Sequence, residues 1–119
     1  KGELLWQVAH GETADNIRNH RLLEGVDVPR TGRPGRVGTL ITKTLVIAGD
    51  GGAFTNNEGV QGAMLRAYDK MTGQELGAVY IPQMQTGSPM TYTIDGKQHI
   101  AVAVSGGGYG GELVVFRLP

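Results

Sequence analysis

Side chains able to do chemistry are few in this chain and thinly spaced. Asp50-Gly51-Gly52-Ala53-Phe54-Thr55-Asn56-Asn57-Glu58 offers carboxylate and amide oxygens of the kind a hard cation takes. It lacks the alternating ligand positions of an EF-hand, so a connecting loop is the favoured reading. Gly106-Gly107-Gly108-Tyr109-Gly110-Gly111 contains a formal Gly-x-Gly-x-x-Gly. Such a loop cradles a phosphate when a helix opens behind it, and none is indicated here. His10, His20 and His99 have no spacing that sets two imidazoles on one face, which points to structural or solvated roles rather than metal ligation. Ser88 and Ser105 lack a nucleophile-elbow context. With no cysteine, disulfides, zinc ribbons, iron–sulfur ligation and thiol nucleophiles are all excluded.

What remains is a question of scaffold. The 119 residues suffice for one core, and eleven basic residues balance eleven acidic ones. A net charge of zero gives no bulk attraction for nucleic acid or an anionic membrane. Twenty glycines against seven aromatics favour β-structure with tight turns and small side chains. No stretch approaches the ~18 apolar residues of a membrane-spanning helix. A first residue of Lys1 without a leader behind it suggests either a removed signal peptide or a piece of a larger chain.

Short β-branched and aliphatic runs bounded by Gly, Asp and Asn predict two hairpins. Leu40-Ile41 and Leu45 to Ala48 flank the first turn; Thr91 to Ile94 and Ile100 to Val104 flank the second, where Asp95-Gly96 suits a type I′ turn. Ile100, Val102 and Val104 alternate with Ala101 and Ala103, so that strand is expected to be covered on both faces. Gly62-Ala63-Met64-Leu65-Arg66-Ala67-Tyr68-Asp69 superposes on Gly110-Gly111-Glu112-Leu113-Val114-Val115-Phe116-Arg117 at an offset of 48 residues. A several-stranded unit of about 40 to 50 residues is the signature of a propeller blade. Upstream, residues 13–24 predict a short helix with Thr13 as N-cap, stopped at Gly25. Val28 to Arg36 carries two Arg-bearing Gly/Pro turns and reads as an ordered loop leading into a strand.

Ala67-Tyr68-Asp69-Lys70-Met71-Thr72-Gly73-Gln74-Glu75-Leu76 resembles the Ala-x-Asp-x-x-Thr-Gly-Lys-x-x-Trp repeat of pyrroloquinoline quinone (PQQ) dependent dehydrogenases. Lys1-Gly2-Glu3-Leu4-Leu5-Trp6 looks like the tail of a preceding copy that keeps the Trp, whereas Gly77 stands where the repeat would place it. Gly87-Ser88-Pro89-Met90-Thr91-Tyr92, Gly96-Lys97-Gln98-His99-Ile100, Ser105-Gly106-Gly107 and the end Leu113 to Pro119 are similar to the C-terminal part of the glucose-dehydrogenase-like branch.

The resemblance implies an all-β fold, a partial β-propeller comprising the last blades of an eight-bladed quinoprotein ring. Residues 1–10 would supply the outer strand of a preceding blade, 11–38 a connecting loop with a short helix, 39–82 one full blade, and 83–119 three strands of the last. Trp6 would be the aromatic docked between neighbouring blades. The implied activity is oxidation of a sugar, glucose-like, or an alcohol, with electrons passing to a quinone or haem acceptor at the periplasmic side of the membrane. PQQ and calcium would be bound by the parent enzyme and neither by this chain alone. The chain matches none of the family's calcium ligands or its catalytic aspartate, so no catalytic residue and no metal ligand is assigned. Arg36, Gly38 and Arg33 fall in the segment that approaches the cofactor, where a guanidinium suits carboxylates and glycine permits close approach; for Arg33 a turn role with a solvated guanidinium is favoured. The piece by itself is expected to be inactive and to self-associate through exposed strand edges. The alternative is a non-catalytic propeller that scaffolds protein–protein contacts, since Asp-x-x-Thr-Gly repeats occur there too. A complete small β-protein fits less well with the half-motif in the opening residues.

Overall fold

The computed structural model describes residues 2–55 and 58–119. Lys1, the first residue of the opening half-motif, and the Asn56-Asn57 pair of the acidic loop lie outside the described residues. Nearly all regular structure is antiparallel β. The first sheet runs β1 (Leu40–Ile41), β2 (Leu45–Gly49), β4 (Gln61–Asp69) and β5 (Glu75–Ile81), with the short β3 (Phe54–Thr55) pairing to the start of β4. The second is the meander β6 (Met90–Ile94), β7 (Lys97–Gly106) and β8 (Tyr109–Arg117).

Each turn follows from its residues. Asp95 and Gly96 take φ of 48° and 72°, the two left-handed residues of a type I′ turn, and join β6 to β7. Between β4 and β5 the Asp69 carboxylate accepts from the main-chain N–H of Met71 (2.8 Å) and of Thr72 (2.9 Å), and from the Thr72 hydroxyl (3.1 Å). Gly73 closes this turn at φ 74°. Trp6 lies flat against it: a Cβ on Gly73 would stand 2.6 Å from the indole, and Trp6 Nε1 donates to the Lys70 carbonyl at 3.0 Å.

The core lies where the two sheets face each other. Ile47, Ala63, Leu65 and Ile81 of the first sheet meet Ile100, Val102 and Val104 of β7, with Val114 and Phe116 of β8 packed alongside. Ala101 is buried as well, so β7 is covered on both faces as its alternation predicts.

Residues 2–10 carry no strand among the described residues. The helix expected over residues 13–24 is corrected. The helix shrinks to α1 (Asp15–Arg18) and a single 3₁₀ turn over Arg21–Leu23. Thr13 does not cap α1; Ala14 holds the cap position without a side-chain bond, while Thr13 is buried and its Oγ1 accepts from the Thr31 N–H at 3.0 Å. With no buried residue on either short helix, there was no apolar face to extend them. The segment instead folds back on itself and lies against the sheet face opposite the core.

Candidate functional site

Three loops meet at one end of the sheets. Residues 34–38 enter β1, 49–52 leave β2, and 84–88 cross from β5 to β6; together they line a cleft of about 660 Å³ bounded by Arg36, Met84, Gln85 and Thr86. Gly35 and Gly51 cross backbone to backbone on its wall. A Cβ on Gly35 would stand 2.6 Å from the Gly51 Cα, and one on Gly51 would collide with Gly35 in turn, so both positions demand glycine.

Gln85 joins the three loops. It is buried, its Oε1 accepts from the Gly49 N–H, and its Nε2 donates to the carbonyls of Gly38 (2.8 Å) and Gly87. Its own main-chain N–H donates to the Asp50 carbonyl at 3.0 Å.

Behind the cleft a buried ionic network ties the N-terminal segment to the first sheet. Arg66, 3% exposed, donates from Nε to Asp50 Oδ1 at 2.8 Å, from Nη2 to Asp50 Oδ2 at 3.3 Å, and from Nη1 to Glu75 Oε1 at 2.9 Å. Arg30 closes the group, donating from Nη2 to Glu75 Oε2 at 2.8 Å and from Nε to the Gly11 carbonyl at 2.7 Å. Burial by itself would loosen the proton on Arg66, but the hydrogen bonds and negative charge of Asp50 and Glu75 outweigh it and raise its pKa. Glu75 is held below the usual carboxylate range: burial opposes ionisation there, and the Arg30 hydrogen bond together with the Arg66 charge prevails. Burial and then the Glu75 charge push the Tyr68 phenol up. The Gly49 carbonyl can only accept, so His10 Nε2 donates to it at 3.0 Å, and in the tautomer with that nitrogen protonated Nδ1 accepts from the Tyr68 hydroxyl at 2.8 Å.

The three residues expected near a cofactor are placed differently. Arg36 is exposed on the cleft rim and makes no ion pair among the described residues. Arg33 is half-buried and serves as a strut, its guanidinium donating to the Ala53 carbonyl and its N–H to the His10 carbonyl at 2.8 Å. Gly38 sits behind the cleft against Ser88, where a Cβ would strike the Ser88 hydroxyl. The three histidines are scattered: His20 accepts from the Leu22 N–H at 3.2 Å, and His99 stacks on Tyr92 at a centroid distance of 5.1 Å. Among the described residues no three His, Asp or Glu side chains converge as metal ligands would. Sequence reasoning missed Gln85 and the Asp50–Arg66 pair. A signal existed for the pair, since Arg66 occupies the position at which the second copy of the repeat has Val114.

Facing antiparallel sheets, the first with an Asp-x-x-Thr-Gly turn against which Trp6 lies and the second repeating its β4 strand as β8, are the blades of a β-propeller. Residues 1–100 match the family model described as glucose/ethanol/alcohol dehydrogenase, beta-propeller domain, and the chain belongs to this PQQ family. It is 30% identical to quinoprotein glucose dehydrogenase A of Acinetobacter calcoaceticus, over 98% of this chain and 14% of that one. It is 32% identical to the glycerol dehydrogenase large subunit of Gluconobacter thailandicus, over 75% of this chain and 12% of the relative. A 1-butanol dehydrogenase (cytochrome c) of Thauera butanivorans is 33% identical over 66% of this chain and 10% of its own. The chain therefore spans about a seventh or less of the length of these relatives. No solved structure matches it.

Proposed function

We propose that this chain is the C-terminal propeller part of a PQQ-dependent dehydrogenase that oxidises a glucose-like sugar or an alcohol and passes the electrons to a quinone or haem acceptor on the periplasmic side. The observation that carries the reading is the family match across residues 1–100. The cleft fits it. PQQ bears carboxylates on a flat ring system, and the cleft offers the exposed Arg36 guanidinium, without an ion pair among the described residues, beside glycine backbones that allow close approach.

When bound, PQQ supplies the two-electron acceptor for the carbon that carries the substrate hydroxyl. This chain's own part is to bind and orient. Arg36 would hold a carboxylate in two parallel N–H···O bonds, Gly35 and Gly51 would keep the wall flat, and Arg33 would brace the loop without touching the ligand. The calcium ligands and the proton-accepting carboxylate would come from other blades of the parent. Isolated, the chain would be inactive and would associate through the unpaired edge of β8.

The test is dye-linked oxidation of aldoses and simple alcohols by the intact parent, with PQQ and calcium added or withheld. Turnover that needs both additions is expected. A folded parent that neither binds PQQ nor turns over with it would overturn the reading and leave a non-catalytic propeller scaffold.

A further inference from the structure

Among the described residues, 34–38 have no sheet ladder of their own, and the hydrogen bonds that tie them to the other two loops run through Gly38. Its N–H donates to the Gly87 carbonyl at 3.3 Å, and its carbonyl accepts from Gln85 Nε2 at 2.8 Å. The same Gln85 amide reaches Gly49 and Gly87, one group on each of the other two loops, so a single buried side chain is bonded to all three walls of the cleft. The fit is tight: a Cβ on Gly49 would lie 2.8 Å from that of Gln85. The Gln85 main chain bonds Asp50 on one side and bridges to Val104 of β7 on the other, which fixes the amide to both sheets at once.

We propose that Gln85 is the positioning residue of the cleft, setting where Arg36 stands relative to the 49–52 and 84–88 walls. The inference rests on the reading of Arg36 as a cofactor neighbour. Only a carboxamide serves here. It must accept one N–H and donate two, and a carboxylate of the same shape would turn an acceptor oxygen toward the Gly38 and Gly87 carbonyls.

The experiment uses the full-length parent with Gln85→Leu and Gln85→Glu, and it has two readouts. Amide hydrogen exchange is followed without cofactor in peptides over 34–39, 49–53 and 86–89, with residues 98–104 of β7 as the internal standard. PQQ affinity is measured by equilibrium titration. Expected are about tenfold faster exchange in the three loops with β7 unchanged, and about tenfold weaker PQQ binding. Arg36→Gln should weaken PQQ by a similar factor with the loops unaltered, and adding it to Gln85→Glu should cost little more. Unchanged loop exchange, acceleration spread equally over β7, or loosened loops with unchanged PQQ affinity would each overturn the proposal. If Gln85→Leu does not fold, Gln85→Glu decides. A wild-type parent that binds no PQQ defeats the cofactor reading, and the exchange pattern alone then decides whether Gln85 holds the loops together.

Discussion

β4 and β8 carry the same eight-residue repeat and end in different surroundings. Leu65 and Leu113 are equivalent positions, yet Leu65 is 5% exposed and Leu113 65%. On the opposite face Arg66 and Val114 are equivalent, yet Arg66 enters an ionic network with the N-terminal segment while Val114 packs into the apolar core. A blade's two faces are thus defined by what is stacked on them. The N-terminal segment lies on one face of the first sheet and the second sheet on the other, whereas the far face of β8 meets solvent. The repeat specifies a strand, and the neighbour decides whether an inward-type residue is buried.

The comparison is tested most severely at Arg66. Giving β4 the residue of the second copy, Arg66→Val, strands the buried Asp50 carboxylate and should cost about 3–5 kcal/mol in urea unfolding. Adding Asp50→Asn, which removes the stranded charge, should recover part of that loss. Next in size, Leu65→Ala should cost about 2–4 kcal/mol, while Leu113→Ala in this chain should stay within about 0.5 kcal/mol. In the full-length parent that the proposed function implies, a further blade stacked on β8 would raise the cost of the Leu113 substitution toward the Leu65 value. An equal cost at both positions in the isolated chain would break the comparison.

A smaller effect is expected at Gly77, where the repeat would place tryptophan. No atom lies within 4 Å of a Cβ built there, and the residue lines an apolar groove of about 550 Å³ between the sheets, with Leu45, Leu65, Val79 and Phe116. Gly77→Trp should fill it and stabilise the chain by about 1 kcal/mol, measured as a raised urea midpoint. The smallest effect is at the Asp69 turn, which β8 lacks because Arg117 stands at that position. The N–H groups of Thr72 and Met71 hold the Asp69 carboxyl below its ordinary range. Its folded pKa is therefore lower than its unfolded one. The stability it contributes is complete above the ordinary aspartate value of about 4 and is lost as pH falls through the folded value. Asp69→Asn should flatten that part of the acid side of the urea-midpoint profile.

Much of the fold was legible because its signals are local. Asp95-Gly96 demands positive φ whatever surrounds it, the alternation from Ile100 to Val104 marks a strand covered on two sides, and Asp69 to Gly73 builds its own turn. The first third misled because its apolar residues are too few to give a helix a face, so its conformation was settled by contacts with Arg66, Tyr68 and Gly49, which lie far away in the chain. Of the candidate site, the loop from Arg33 to Gly38 could be picked out by resemblance, but Gln85 carried no signal at all. A glutamine in a loop is ordinary in a sequence, and nothing local distinguishes one that is solvated from one that satisfies three backbone groups.

What the residues determined by themselves is the set of strands, the turns between them and the repeat that makes them blades, because these depend on side-chain alternation and backbone preferences within a few residues; the family was legible in the resemblance of the Ala67 to Leu76 motif. Which of Arg33, Arg36 and Gly38 faces the cleft, which leucine of the repeat is buried, and what holds the three loops together were decided only in the tertiary structure. Hydrogen bonds between residues 16 to 64 positions apart in the chain exist only once the sheets and loops have come together.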